Sequence, residues 1–187
     1  MGGDAALVPL GRRFSPGGSR RRRGSSESTI MKSRDHAGVF VPPPLLYVIP
    51  ILAAAVVHSR RPWPISDSYP MAVTMAGFCT LATGIAIGLA SVHSFRKANT
   101  TILPVGRPTT AIVERGPYRF TRNPMYVAMA VGHVGVALLL NSVWVLLPLP
   151  LVVLVVDLFV IRREERYLGD KFGQSYRDYC LRVRRWL

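Results

Sequence analysis

The stretch whose residue types could do chemistry is Arg115-Gly-Pro-Tyr-Arg-Phe-Thr-Arg-Asn-Pro-Met-Tyr126, polar, basic and turn-forming between long apolar runs. Gly116-Pro117 reads as a turn. Asn123-Pro124 reads as a helix start, because Asn is favoured at the N-cap and Pro at the first helical position. Such a start presents unpaired backbone N–H groups and a partial positive charge. With Arg115, Arg119 and Arg122 around it, this one suits an anionic group, a carboxylate or a phosphate. The same cations also fit the plainer role of a loop that orients a membrane protein. A second charged group, Arg162-Arg-Glu-Glu-Arg166, follows another apolar run and offers Glu164 and Glu165 as partners for those arginines. His133 lies within an apolar run, where an imidazole is costly unless paired, so a bonded interior role is expected.

These groups are positioned by four apolar runs, Val39 to Val57, Met71 to Val92, Met125 to Leu140 and Val143 to Ile161. Together they hold one acidic residue, Asp157, and no Lys or Arg. Each lies near the roughly 20 residues that cross a hydrocarbon core, the third being somewhat short. The fold expected is all-α, a polytopic membrane protein with four transmembrane helices. Of the 24 Lys and Arg, eight precede the first run, two follow it, six lie between the second and third runs, and eight follow the fourth. The third and fourth runs are joined by Asn141-Ser142 without charge. Alternating sides therefore puts both termini and the Arg115 to Tyr126 segment in the cytoplasm. The net charge of +14 is mostly this topology signal; membrane lipids are an expected partner and nucleic acid is not.

Residues 1–37, rich in Gly, Ser and Arg, form an expected disordered basic arm, and residues 38–187 the membrane domain. Gly84-Ile-Ala-Ile-Gly88 lets another helix approach closely. The thirty or so residues from Ser94 to Arg122 return to the membrane, which favours function over mere linkage. In the fourth helix a 3.6-residue repeat sets Glu164 above Asp157. Beyond it, residues 162–187 are expected as cytoplasmic helices. Gly173 is the helix stop, and an amphipathic helix from about Ser175 carries Tyr176, Tyr179, Cys180 and Val183 on one face, lying on the membrane or folding back over the site. Cys79 and Cys180 fit no metal spacing and no disulfide, and no metal is expected.

The ordered set Gly116-Pro-Tyr-Arg-x-x-Arg-Asn-Pro-x-Tyr126, Glu164-Glu-Arg-x-Leu168, Phe172-Gly-x-x-Tyr176-x-x-Tyr179 and Val183 resembles a family of integral-membrane methyltransferases. That family includes isoprenylcysteine carboxyl methyltransferase and the phospholipid N-methyltransferases. The resemblance covers about residues 104–187. Its usual run is Arg-His-Pro-x-Tyr-x-Gly; here Asn123 stands for the His and Ala128 for the Gly. Its end reads Val-Pro-Arg, against Val183-Arg184-Arg185 here.

The resemblance implies methyl transfer from S-adenosylmethionine to a lipid-like or small hydrophobic acceptor, a carboxylate, amine or thiol, at the cytoplasmic membrane face. It implies Arg122 and Glu164 as catalytic residues. The cofactor would be held by Gly116, Tyr118, Arg119, Asn123, Pro124, Tyr126, Glu164 and Glu165. An amine acceptor would need a base, with Glu164 or His133 as candidates. Two other readings stand beside it: a non-catalytic membrane scaffold, and a nicotinamide-dependent enzyme, since membrane sterol reductases have a similar C-terminal pattern.

The charge count makes a direct prediction. A reporter enzyme that works only outside the cytoplasm should be silent when fused after Leu187 and active when inserted after Trp63. The opposite pattern would reverse the topology.

Overall fold

The computed structural model describes residues 42–68, 70–98 and 111–187. The expected arm at 1–37, the first residues of the first apolar run and the 99–110 part of the long connection lie outside the described residues. Helix α1 is Pro43–Arg60 and α2 is Pro70–Lys97. A 3₁₀ turn, Gly116–Arg119, precedes α3, Pro124–Leu139. Then come α4 (Val143–Leu146), α5 (Leu149–Val155), a π-helical turn (Val156–Ile161), α6 (Arg162–Phe172) and α7 (Gln174–Arg182). Among the described residues the sole β pairing is an isolated bridge between Thr121 and Arg184.

Prolines sit where an N–H would be orphaned anyway, in the first turns of α1, α3 and α5. Pro50 lies inside α1 without ending it. Gly173, at φ +54°, ends α6 as expected.

Three stretches are long and apolar enough to cross a membrane: Pro43–Arg60, Met71–Lys97 and Val143–Phe172. Their outward residues, among them Leu52, Val56, Phe78, Leu89 and Leu151, are large, apolar and exposed, as a lipid-facing surface requires. The fourth expected span is different. At 16 residues, α3 is about 24 Å long at 1.5 Å per residue, short of a hydrocarbon core of about 30 Å. Much of it faces the protein interior, since Tyr126, Val127, Ala128, His133, Gly135 and Ala137 are buried. The architecture is all-helical, and among the described residues three helices are long and apolar enough to span, with α3 a shorter apolar helix beside them.

The closest helix contact joins α2 to α3. At Gly84, a Cβ would lie 2.9 Å from the Gly132 nitrogen and 3.0 Å from the Ala128 carbonyl oxygen, so the two backbones meet with no room for a side chain. A core of Tyr47, Tyr126, Val152, Val156, Val160 and Ile161 joins α1, α3, α5 and the π-helical turn. At the far end of α3, Asn141 takes the left-handed conformation (φ +46°). Its carboxamide accepts from the Ile65 and Ser66 amides and donates to the Ser66 carbonyl. The Trp63 and Trp144 rings meet edge to face there, 5.3 Å apart.

His133 is fully interior. Its Nε2 lies 2.7 Å from the Val145 carbonyl oxygen, which can only accept, so Nε2 carries the proton. The bonded interior role expected for it is the one observed.

Gly84→Leu should separate α2 from α3 and destabilise the protein by about 1–3 kcal/mol, the usual range for overpacking. Thermal unfolding in detergent measures this; a wild-type melting temperature would show that the contact tolerates a side chain.

Candidate functional site

The 3₁₀ turn begins at Gly116, which has φ +61° and is stacked so closely over α2 that a Cβ would fall 2.5 Å from Ser94 Oγ. The positive φ favours glycine there, and any side chain would also have to displace the Ser94 hydroxyl. The turn buries Tyr118, whose ring meets Phe95 of α2 edge to face at 5.2 Å. The Tyr179 hydroxyl of α7 donates to the Tyr118 carbonyl oxygen at 2.8 Å, so α7 folds back onto the turn. Buried Tyr176, Tyr179 and Val183 form that contact with Ile112, Leu168 and Phe172 packed around them.

Next in the chain, Pro124 takes the first position of α3 as expected, but the Asn123 side chain makes no cap. Its Nδ2 donates instead to the Arg185 carbonyl oxygen at 3.0 Å, beside Thr121 Oγ1, which donates to the same oxygen at 3.0 Å. The Arg122 amide donates to the Arg184 carbonyl oxygen at 2.9 Å. Residues 121–123 are thus laced to the C-terminal tail.

Charges then join this lacing to α6. Arg122 Nη1 lies 3.1 Å from Glu165 Oε1 and 2.7 Å from Cys180 Sγ. Arg185 grips the same carboxylate through Nε at 3.1 Å and Nη2 at 2.6 Å, and Glu165 raises the Arg185 guanidinium above its ordinary pKa. Glu164 has a different neighbour, the Tyr126 hydroxyl, which donates to it at 2.9 Å. Among the described residues Glu164 has no ion-pair partner. Arg122 Nε is likewise buried without a hydrogen-bond acceptor.

The expected alignment of Asp157 under Glu164 is corrected by the π turn between them. One added residue per turn slips the register by about 100°. Residue 165 rather than 164 then comes into line: Arg185 Nη1 lies 3.6 Å from Asp157 while its other nitrogens hold Glu165. Asp157 also accepts from Trp186 Nε1 at 3.0 Å and pairs with Arg162.

These elements enclose a cavity of about 300 Å³. One wall is charged and polar: Arg122, Asn123, Glu164 and Glu165. A second is aromatic: Tyr118, Tyr126, Tyr167, Tyr176, Tyr179 and Phe95. The rest is apolar, with Pro42 to Pro44, Ile112, Val113, Met125, Met129 and Leu168. Of the expected site residues, Tyr118, Arg122, Asn123, Tyr126, Glu164 and Glu165 come together on it. Gly116, Arg119 and Pro124 do not line it; Arg119 is exposed and Pro124 is buried behind the wall. His133 is also absent from the lining. Sequence reasoning missed Phe95 and the Pro42 to Pro44 edge, which carry no motif. It missed Arg185 as well. For α7 a signal existed in the spacing of Tyr176, Tyr179 and Val183, which suits a covering face. Among the described residues no group of three or more His, Cys, Asp or Glu could hold a metal ion.

Comparison with known proteins adds independent information. A family model described as phospholipid methyltransferase matches residues 72–175. The chain is 57% identical over 35 residues to an uncharacterized protein of Haemophilus influenzae, covering 19% of this chain and 56% of that one. It is 35% identical over 78 residues to the nickel-cobalt-cadmium resistance protein NccN of Alcaligenes xylosoxydans. It is 32% identical over 78 residues to the cobalt-zinc-cadmium resistance protein CzcN of Cupriavidus metallidurans. Those two matches cover 42% of this chain and 36% of each relative, so the chain spans about half or less of the curated proteins it resembles. No solved structure matches.

Burial holds the Tyr118 and Tyr179 phenols well above their ordinary pKa. The folded protein therefore keeps protons that the unfolded chain releases near pH 10, so stability is full below that pH and falls as pH rises above it. In detergent, these tyrosines should ionise only together with loss of the helical circular dichroism signal. Ionisation of all seven tyrosines with that signal intact would contradict the packing of α7 on the turn.

Proposed function

Since this chain belongs to the phospholipid methyltransferase family, we propose that it transfers a methyl group from S-adenosylmethionine to a lipid-like or small hydrophobic acceptor at the cytoplasmic face of a membrane. The observation that carries the reading is a pair of incompletely partnered groups in one apolar, tyrosine-rich cavity. Among the described residues Glu164 has no ion-pair partner, and Arg122 has a buried N–H with no acceptor. The bonding capacity left over on both is what a ligand carrying a cation and an anion would use.

The donor's groups fit that wall. Its carboxylate suits Arg122 and the Asn123 amide, and its ammonium or sulfonium suits Glu164, with Glu165 already committed to two guanidiniums. The aromatic wall suits adenine, and tyrosine faces also attract a sulfonium. A cavity of about 300 Å³ lies at the small end of ligand sites, so it accommodates little beyond the donor.

When bound, S-adenosylmethionine supplies a methyl group already activated for displacement. The chain's own task is to align that methyl with the acceptor and keep water away. Tyr126 holds the Glu164 carboxylate in place, and α7, folded over the turn, covers the cavity. A carboxylate acceptor needs no base. For an amine acceptor Glu164 is the group able to take the proton, because His133 is bonded to Val145 outside the cavity lining. Residues 1–37 are read as an appended arm and 38–187 as the catalytic domain. The membrane helices leave an acceptor free to approach laterally from the lipid.

Isothermal titration in detergent should give saturable binding of S-adenosylmethionine and none of NADPH. Arg122→Ala and Glu164→Gln should each weaken it about tenfold or more, the loss expected for a hydrogen bond to a charged group, with helix content unchanged. Binding of NADPH instead would mark a reductase, and binding of neither a scaffold. Wild-type affinity in both variants would move the donor elsewhere.

A further inference from the structure

Arg185 touches both the basic segment and the acidic helix, yet it does not line the cavity. Its side chain makes a two-pronged bond to Glu165 and reaches Asp157. Its carbonyl oxygen accepts from Thr121 and Asn123. Immediately before it, the Arg184 carbonyl accepts the Arg122 amide; immediately after it, Trp186 donates to Asp157. One residue of the tail therefore bonds the basic segment with its backbone and the acidic helix with its side chain.

We propose that Arg185 is a positioning residue, latching the C-terminal tail between residues 121–123 and α6 so that Arg122 and Glu164 face one cavity at a preset distance. The chemistry supports a guanidinium there. Its planar fork matches a carboxylate at two points, whereas an ammonium is a point charge. The Glu165 side chain is 16% exposed and that of Arg122 15%, so removing Arg185 leaves a largely buried carboxylate held from one side only. That carboxylate then draws Arg122 off its place beside Cys180. The latch itself does not depend on the methyl-donor reading; its consequence for donor affinity rests on it.

The test uses the full chain in detergent. In Arg185→Ala, hydrogen exchange should quicken at the Arg122 amide, and affinity for S-adenosylmethionine should fall roughly tenfold to a hundredfold, as misplacement of aligning groups does. Arg185→Lys should recover part of both. In a Glu165→Gln background, Arg185→Ala should add little further loss of affinity, which a general structural defect would not reproduce. Unchanged exchange in Arg185→Ala overturns the latch, as does an equal affinity loss in both backgrounds. If Arg185→Ala fails to fold, Arg185→Lys decides: intermediate exchange supports the latch and wild-type exchange overturns it. Should the wild type bind no S-adenosylmethionine while exchange still responds, the latch stands and the donor reading falls.

Discussion

A single carboxylate, Glu165, shared between Arg122 and Arg185 ties together three segments that are distant in sequence. Exposed ion pairs contribute little, but this one is different in kind. The Arg122 and Glu165 side chains are largely buried, so each has given up hydration that only the other charges restore. The network is fixed in direction as well as strength, because a forked guanidinium accepts few geometries. With Glu165 satisfied in this way, Glu164 beside it is left with the Tyr126 hydroxyl as its hydrogen-bond donor.

The membrane explains why such a cluster sits at helix ends. Apolar rods have no tolerance for charge along their lipid-facing sides, so the charged residues are displaced to the ends or into bonded positions. Asp157 illustrates the second case, held by Trp186, Arg162 and Arg185. The rod Val143–Phe172 carries apolar packing and charged site in one element. Its π turn adjusts the rotation between the two parts.

Much of this was legible from residue types. Pro124 announced α3, Gly173 announced the end of α6, Gly84 announced the close approach of two helices, and the opposite charges of Arg122 and Glu165 announced their meeting. What was hidden depended on long-range partners. Asn123 has the composition of a cap, yet a tail carbonyl sixty residues away in sequence competes for its amide. The Asp157 stripe was drawn on an ideal helix, and no residue type signals a π turn. The apolar run 125–140 reads as a membrane span, and the helix it forms is short with many residues turned to the protein interior; burial against protein and burial against lipid select the same side chains, so the sequence does not show how that surface is divided.

The site combines a family assignment with a cavity lined by one carboxylate that has no ion-pair partner among the described residues and by an arginine with one buried N–H left without an acceptor. The most direct measurement is transfer of an isotope-labelled methyl group from S-adenosylmethionine by the purified protein into a membrane-lipid extract. Label in the organic-soluble fraction, lost in Glu164→Gln, is the result expected. A protein that is folded and binds the donor, yet leaves every fraction of the extract unlabelled, would contradict the account.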